Sequence, residues 1–113
     1  MIDGVRAQLR KGVVEYCILG ALEREPMYGW QLAETLAKPG LIASIGTLYP
    51  VLGRLRERGL ITAFERSSGA GPVRKYYQVT KAGSAELDGF RQQWAPFTRA
   101  VSEMVGEVDD DKN

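Results

Sequence analysis

Between residues 87 and 108 the apolar side chains Leu87, Phe90, Trp94, Phe97, Val101, Met104 and Val108 recur at alternating steps of three and four. That period is the seam of a helix built to lie along another helix. A stripe with two phenylalanines and a tryptophan needs cover, and a chain of 113 residues has little left to supply it. The pattern predicts a long final helix, capped by Thr80, that pairs with its counterpart and with the first helix of a second copy. The competing arrangement folds this helix back onto its own domain. Pro96 lies inside the stripe and has no N–H for the Gln92 carbonyl, so it is expected to kink or interrupt the helix. Residues 109–113, Asp-Asp-Asp-Lys-Asn, read as a frayed acidic tail.

Upstream, Val13, Val14, Tyr16, Cys17, Leu19, Ala21 and Leu22 form a helix apolar over most of its surface, which belongs at the centre of the fold. A second helix is expected over Tyr28 to Lys38, with Leu32, Ala33 and Leu36 inward and Pro39-Gly40 as its stop. Ser44 N-caps a third, whose apolar positions are Leu48, Leu52 and Leu55 and whose stop is Gly59. Pro50 is tolerated there if the first turn is irregular or the helix starts near Gly46. Leu60 to Arg66 and Val73 to Val79 read as two strands around a turn-rich tip at 67–72. Three helices followed by a hairpin outline a winged helix-turn-helix. The expected fold is mainly α with a small β-hairpin: a winged helix-turn-helix over residues 10–82, then a dimerisation helix over 83–108.

The net charge of +1 conceals an asymmetry. Residues 1–83 hold twelve Lys or Arg against seven Asp or Glu, and residues 84–113 hold three against seven. The surplus lies between Ser44 and Lys81, where seven basic residues face two acidic ones. Such a block suits an anionic partner, or else a solvated face. The chain has no histidine, which excludes triads, imidazole acid–base work and His-based metal sites. One cysteine, Cys17, excludes an internal disulfide framework and suggests a reducing compartment. No phosphate loop or carboxylate pair on one face is present, so neither enzyme activity nor a cofactor is expected. The apolar run Val13–Leu22 contains Glu15 and is too short to span a bilayer, and no cleavage site follows it. A cytoplasmic location is expected.

Four ordered motifs carry a family resemblance. Ser44-Ile45-Gly46-Thr47-Leu48-Tyr49-Pro50-Val51-Leu52-Gly53-Arg54-Leu55, with Gly59-Leu60-Ile61, resembles the recognition-helix signature of PadR-family transcriptional regulators. Gly12-Val13-Val14 with Ile18-Leu19 resembles the family's first helix, and Met27-Tyr28-Gly29-Trp30-Gln31-Leu32 the start of its second. Arg74-Lys75-Tyr76-Tyr77-Gln78-Val79-Thr80-Lys81-Ala82-Gly83 resembles its second wing strand and exit. The short C-terminal part is similar to the compact branch, with one dimerising helix. The resemblance implies a dimeric DNA-binding repressor, answering in some members to a small molecule.

A recognition helix enters the major groove with its N-terminal residues toward base edges. This places Ser44, Ile45, Thr47 and Tyr49 nearest the DNA and Arg54 further along. Tyr49 and Tyr28 suit phosphate oxygens, as do Arg66, Arg74 and Lys75 on the wing. Ser44 and Thr47 have an alternative role as helix caps, and the wing cations as guards of an edge strand. The dimer interface is expected at Leu87, Phe90, Trp94, Phe97, Val101 and Met104. In multidrug-sensing relatives a tryptophan at the matching distance after the wing's Thr stacks on flat ligands. That resemblance assigns Trp94, with Phe90 and Tyr16, to a planar aromatic effector; the alternative makes Trp94 a seam residue only. The expected partners are therefore double-stranded DNA, a second copy and such an effector, with no membrane. A winged-helix module that binds protein instead of DNA is the rival function.

Overall fold

The computed structural model describes residues 2–67 and 69–106, with side chains from Gly4 onward. Val108 and the acidic tail lie outside the described residues. Seven elements follow in order: α1 (Ile2–Arg24), β1 (Met27–Tyr28), α2 (Gly29–Ala37), α3 (Ile45–Glu57), β2 (Ile61–Ser67), β3 (Val73–Val79) and α4 (Lys81–Val105). This is the winged helix-turn-helix, mainly helical, with a small antiparallel sheet.

The two glycine stops work through backbone geometry. Gly40 and Gly59 both take positive φ, at 83° and 75°. After α2, the Leu41 N–H reaches the Leu36 carbonyl at 2.8 Å and the Gly40 N–H reaches Ala37 at 2.9 Å. After α3, Leu60 reaches Leu55 and Gly59 reaches Arg56, each at 2.9 Å. Each pair of bonds is a Schellman motif, open to a residue that enters the left-handed region without strain. Because Leu60 spends its N–H on this stop, β2 begins at Ile61 rather than at Leu60.

The core is built from Ile18, Leu19 and Leu22 of α1, Leu32 and Leu36 of α2, and Leu48, Leu52 and Leu55 of α3. Met27, Ile61, Tyr77 and Leu87 close it from the sheet and from the start of α4. Thr80 caps α4, its hydroxyl accepting from the Gly83 N–H at 3.0 Å and donating to the Gly59 carbonyl at 2.7 Å.

The structure corrects four expectations. The first helix begins at Ile2, not Val13. Its early residues meet no core of their own chain, so no core-facing stripe announces them; Val5 and Leu9 are 61% and 67% exposed. A third strand, β1, pairs Met27 with Tyr77 and Tyr28 with Tyr76, giving the sheet order β1-β3-β2. At two residues it is too short to show a period. The second helix is trimmed to Gly29–Ala37, with Tyr28 as N-cap and Lys38 as C-cap. Finally, of the two outcomes expected at Pro96, interruption does not occur: α4 is one helix from Lys81 to Val105. A single missing hydrogen bond does not stop a helix supported by helical turns on both sides.

Candidate nucleic-acid interface

On α3, Leu48, Val51, Leu52 and Leu55 are buried, so the opposite face is offered to solvent. Its first turn is tight. The Thr47 N–H bonds the Ser44 carbonyl at 3.2 Å, and the Thr47 hydroxyl donates to the same oxygen at 2.8 Å. Ser44 stands at the N-cap position without a side-chain cap bond. The Ser44 hydroxyl therefore stays available, and Thr47 keeps its lone pairs and methyl for a ligand. Pro50 is the sixth residue of the helix and leaves the Gly46 carbonyl without its N–H partner, yet the helix continues to Glu57. Ile45 is half-buried and packs against the core, which withdraws it from the exposed face.

One cleft of about 530 Å³ gathers Tyr28, Gly29 and Trp30 of the α2 start, Tyr49 of α3, and Arg74, Lys75 and Tyr77 of the wing. Four of the expected residues, Tyr28, Tyr49, Arg74 and Lys75, thus converge from three elements separated in sequence. The cleft offers two cations and three phenolic hydroxyls, and among the described residues no carboxylate lines it. This is donor chemistry suited to phosphate oxygens. Burial holds the Tyr77 hydroxyl above the ordinary phenol range, with Tyr49 adding to the effect and Arg56 opposing it, so Tyr77 remains a donor.

Trp30 was not legible as a site residue. It is 64% exposed because it sits opposite the inward stripe Leu32, Ala33 and Leu36. A tryptophan off the stripe of an amphipathic helix was the available signal.

Arg54 and Arg66 stand apart from the cleft. Arg54 turns toward α1, with Nε 3.6 Å from Glu15 Oε2. Nearby, Arg58 Nη1 lies 3.2 Å from Glu15 and Nη2 lies 3.5 Å from Glu86, tying the end of α3 to both α1 and α4. Arg66 lies on the wing, on the sheet face opposite to Tyr77.

The expected effector residues do meet. Tyr16 and Phe90 stack with ring centroids 4.3 Å apart, and Phe90 and Trp94 follow at 5.1 Å. The Tyr16 hydroxyl donates to Glu86 at 3.5 Å. Trp94 keeps one side open, at 43% exposure. Along the seam, Leu87 is buried in the core of its own chain. That removes it from the surface; Phe90 is half-buried against the core, and the open seam runs from Trp94 through Phe97 and Val101 to Met104. Among the described residues, no three of His, Cys, Asp and Glu gather as metal ligands. None of the described helices is long and apolar enough to cross a membrane.

Comparison with known proteins agrees with this architecture. A model of the transcriptional regulator PadR-like family matches residues 18–89. The transcriptional regulator Rv3488 of Mycobacterium tuberculosis is 33% identical over 101 residues, covering 89% of this chain and 87% of that protein. A crystal structure of a PadR-like transcriptional regulator from Bacillus cereus matches with a TM-score of 0.80 at 36% identity, over 89% of this chain and 99% of that one. Bacillus subtilis PadR, crystallised in complex with operator DNA, shares the fold, with a TM-score of 0.59 at 23% identity, over 89% of this chain and 51% of that one. Fold, motifs and family model together place the chain in the PadR-like family of transcriptional regulators.

Proposed function

We propose that the protein is a dimeric repressor that binds double-stranded DNA and is released by a planar aromatic ligand. The observation that carries the DNA reading is the cleft shared by Tyr28, Tyr49, Arg74 and Lys75. Ser44 and Thr47 stand at the exposed start of α3, where a recognition helix addresses base edges. The wing cations and the tyrosine hydroxyls address the flanking phosphates. Two copies joined along α4 would set their recognition helices about one turn of duplex apart, roughly 34 Å. Bacillus subtilis PadR, a protein of the same fold, was crystallised with operator DNA, which supports this reading.

The effector reading rests on the aromatic stack of Tyr16, Phe90 and Trp94 and on the open side of Trp94. Flat cationic molecules suit such a face.

The test is a gel shift with the promoter region beside the protein's own gene, across a salt series and with planar dyes added. Binding is expected to weaken steeply as salt rises, through counterion release. A protein that retains no DNA in dilute buffer overturns the reading. Dyes that quench Trp94 fluorescence should also release DNA, and Trp94→Ala should lose both effects. Trp30 emits as well, so quenching that persists in Trp94→Ala overturns the effector assignment.

A further inference from the structure

We propose that Tyr76 and Tyr28 are positioning residues, whose ring faces hold Arg66 and Arg74 side by side as a preset pair of phosphate donors on the outer face of the wing.

The sheet register separates two faces. Met27, Tyr77 and Ile61 point into the core. On the other face, Tyr28, Tyr76 and Phe64 form one row across the three strands, and Arg74 and Arg66 face each other in the next row toward the tip. Tyr76 is 7% exposed, yet it lies outside the main core cluster. What covers it is this outer row and the arginines above. Phe64 lies 5.8 Å from Tyr76 in a near-parallel stack, and Tyr28 meets Tyr76 edge-on at 5.4 Å.

Two like charges directly opposite on paired strands repel one another. Here each guanidinium leans across to the ring of the neighbouring strand. Arg66 Cζ lies 4.2 Å from the Tyr76 ring centroid, and Arg74 Cζ lies 4.5 Å from that of Tyr28. Both lean in the same sense, from β2 to β3 and from β3 to β1, so the cations stay about one strand spacing apart, roughly 5 Å. A ring face takes up the charge but fills none of the five N–H donors in the guanidinium plane. The arginines are thus held in place, and among the described residues no hydrogen-bond or ion-pair partner takes up their N–H donors. An anion that arrives finds side chains already ordered, which removes part of the entropy cost of binding. Arg74 also lines the cleft with Tyr49, so the pair continues the interface from the recognition helix onto the wing.

This inference rests on the DNA reading, and the experiment separates the two. Affinity for the promoter duplex is measured for the wild type, Tyr76→Phe, Tyr76→Leu, Arg66→Ala, and Arg66→Ala combined with Tyr76→Leu. Tyr76→Leu is expected to bind about three- to fivefold more weakly, the worth of one exposed cation–π contact. Tyr76→Phe keeps the ring and is expected to restore binding. Once Arg66 is absent, Tyr76→Leu should add no further loss, because its effect passes through that side chain. A residue that only supports the wing would cost the same with or without Arg66, and that additive result overturns the proposal. A wild type that binds no DNA overturns the functional reading instead. The positioning is then read without DNA: the Arg66 δ-proton resonances should show an upfield ring-current shift in the wild type and Tyr76→Phe, reduced in Tyr76→Leu to what the Phe64 ring, 5.7 Å from Arg66 Cζ, still supplies. Equal shifts in all three overturn it.

Discussion

The Tyr49 hydroxyl occupies the space that a Cβ on Gly29 would take. Gly29 opens α2 and Tyr49 lies on the exposed side of α3, so this contact fixes where the Tyr49 hydroxyl stands relative to the second helix. Tyr49 is 47% exposed, and its far end can swing outward. Gly29→Ala should therefore leave thermal stability unchanged or slightly raised, since alanine is the better helix former. It should also displace the hydroxyl from the cleft and weaken DNA binding roughly tenfold, the scale of one hydrogen bond to a charged group. Melting curves and binding isotherms on the same samples check both halves. A variant that binds as the wild type would remove Tyr49 from the interface.

Gly83 has the opposite outcome. A Cβ there would meet the Leu60 carbonyl oxygen, which is backbone, and would lie 2.7 Å from Val79 Cγ2. Neither neighbour can swing away. The Gly83 N–H is also the one that Thr80 caps. Gly83→Ala is expected to destabilise the fold by about 1–3 kcal/mol, the usual cost of overpacking, despite its better helix propensity. Chemical denaturation measures this directly. A gain in stability would mean that α4 is free to shift against β2.

Elements that end in a backbone device were legible in the sequence. Gly40, Gly59 and Thr80 each mark a terminus, and the structure gives each the conformation or bond that the residue type favours. The wing strands were equally legible, from the turn-rich tip between them and the tyrosines of the return strand. Tyr76 and Tyr77 are adjacent, so one must face inward and the other outward. Elements whose partners lie elsewhere were not legible. The first half of α1 has no stripe that its own core explains. β1 is defined only by β3. The position of Arg54 depends on Glu15, 39 positions earlier, and no local pattern announces such a pairing. Leu87 has the spacing of the seam but is claimed by the core, because the start of α4 packs on the domain before the helix runs clear of it.

The link between α1 and α4 carries a pH dependence. Arg91 Nη2 lies 2.8 Å from Glu23 Oε1, and Arg91 Nη1 lies 2.9 Å from Asp88. The hydrogen bond from Arg91, aided by one from Ser84, holds the Glu23 carboxyl below its ordinary value. A carboxylate depressed in the folded state stabilises the fold above the unfolded value, near 4.3. That contribution disappears as pH falls through the lower, folded value. Glu23→Gln should therefore melt slightly below the wild type at pH 6, and the two curves should converge toward pH 3. The pair is solvent-exposed, so the gap is small. Curves that stay parallel down to pH 3 would detach this contact from the acid limb.

The exposed part of the seam allows association to be separated from folding. Phe97 and Met104 are 63% and 84% exposed, and neither belongs to the core cluster. Placing a charge there costs the fold of the single chain little, whereas the same change at Leu87 would bury an unpaired charge. Phe97→Asp is therefore expected to keep the helical spectrum of the wild type, while sedimentation shows a single copy at concentrations where the wild type is paired. Its melting temperature should also lose the dependence on protein concentration that coupled assembly confers. DNA affinity should fall further than for any single wing substitution, because one copy reaches only one half-site. A Phe97→Asp protein that still sediments as a pair would move the interface off this face of α4. The apolar residues at the start of α1, Val5 and Leu9, would then be the next place to introduce the charge.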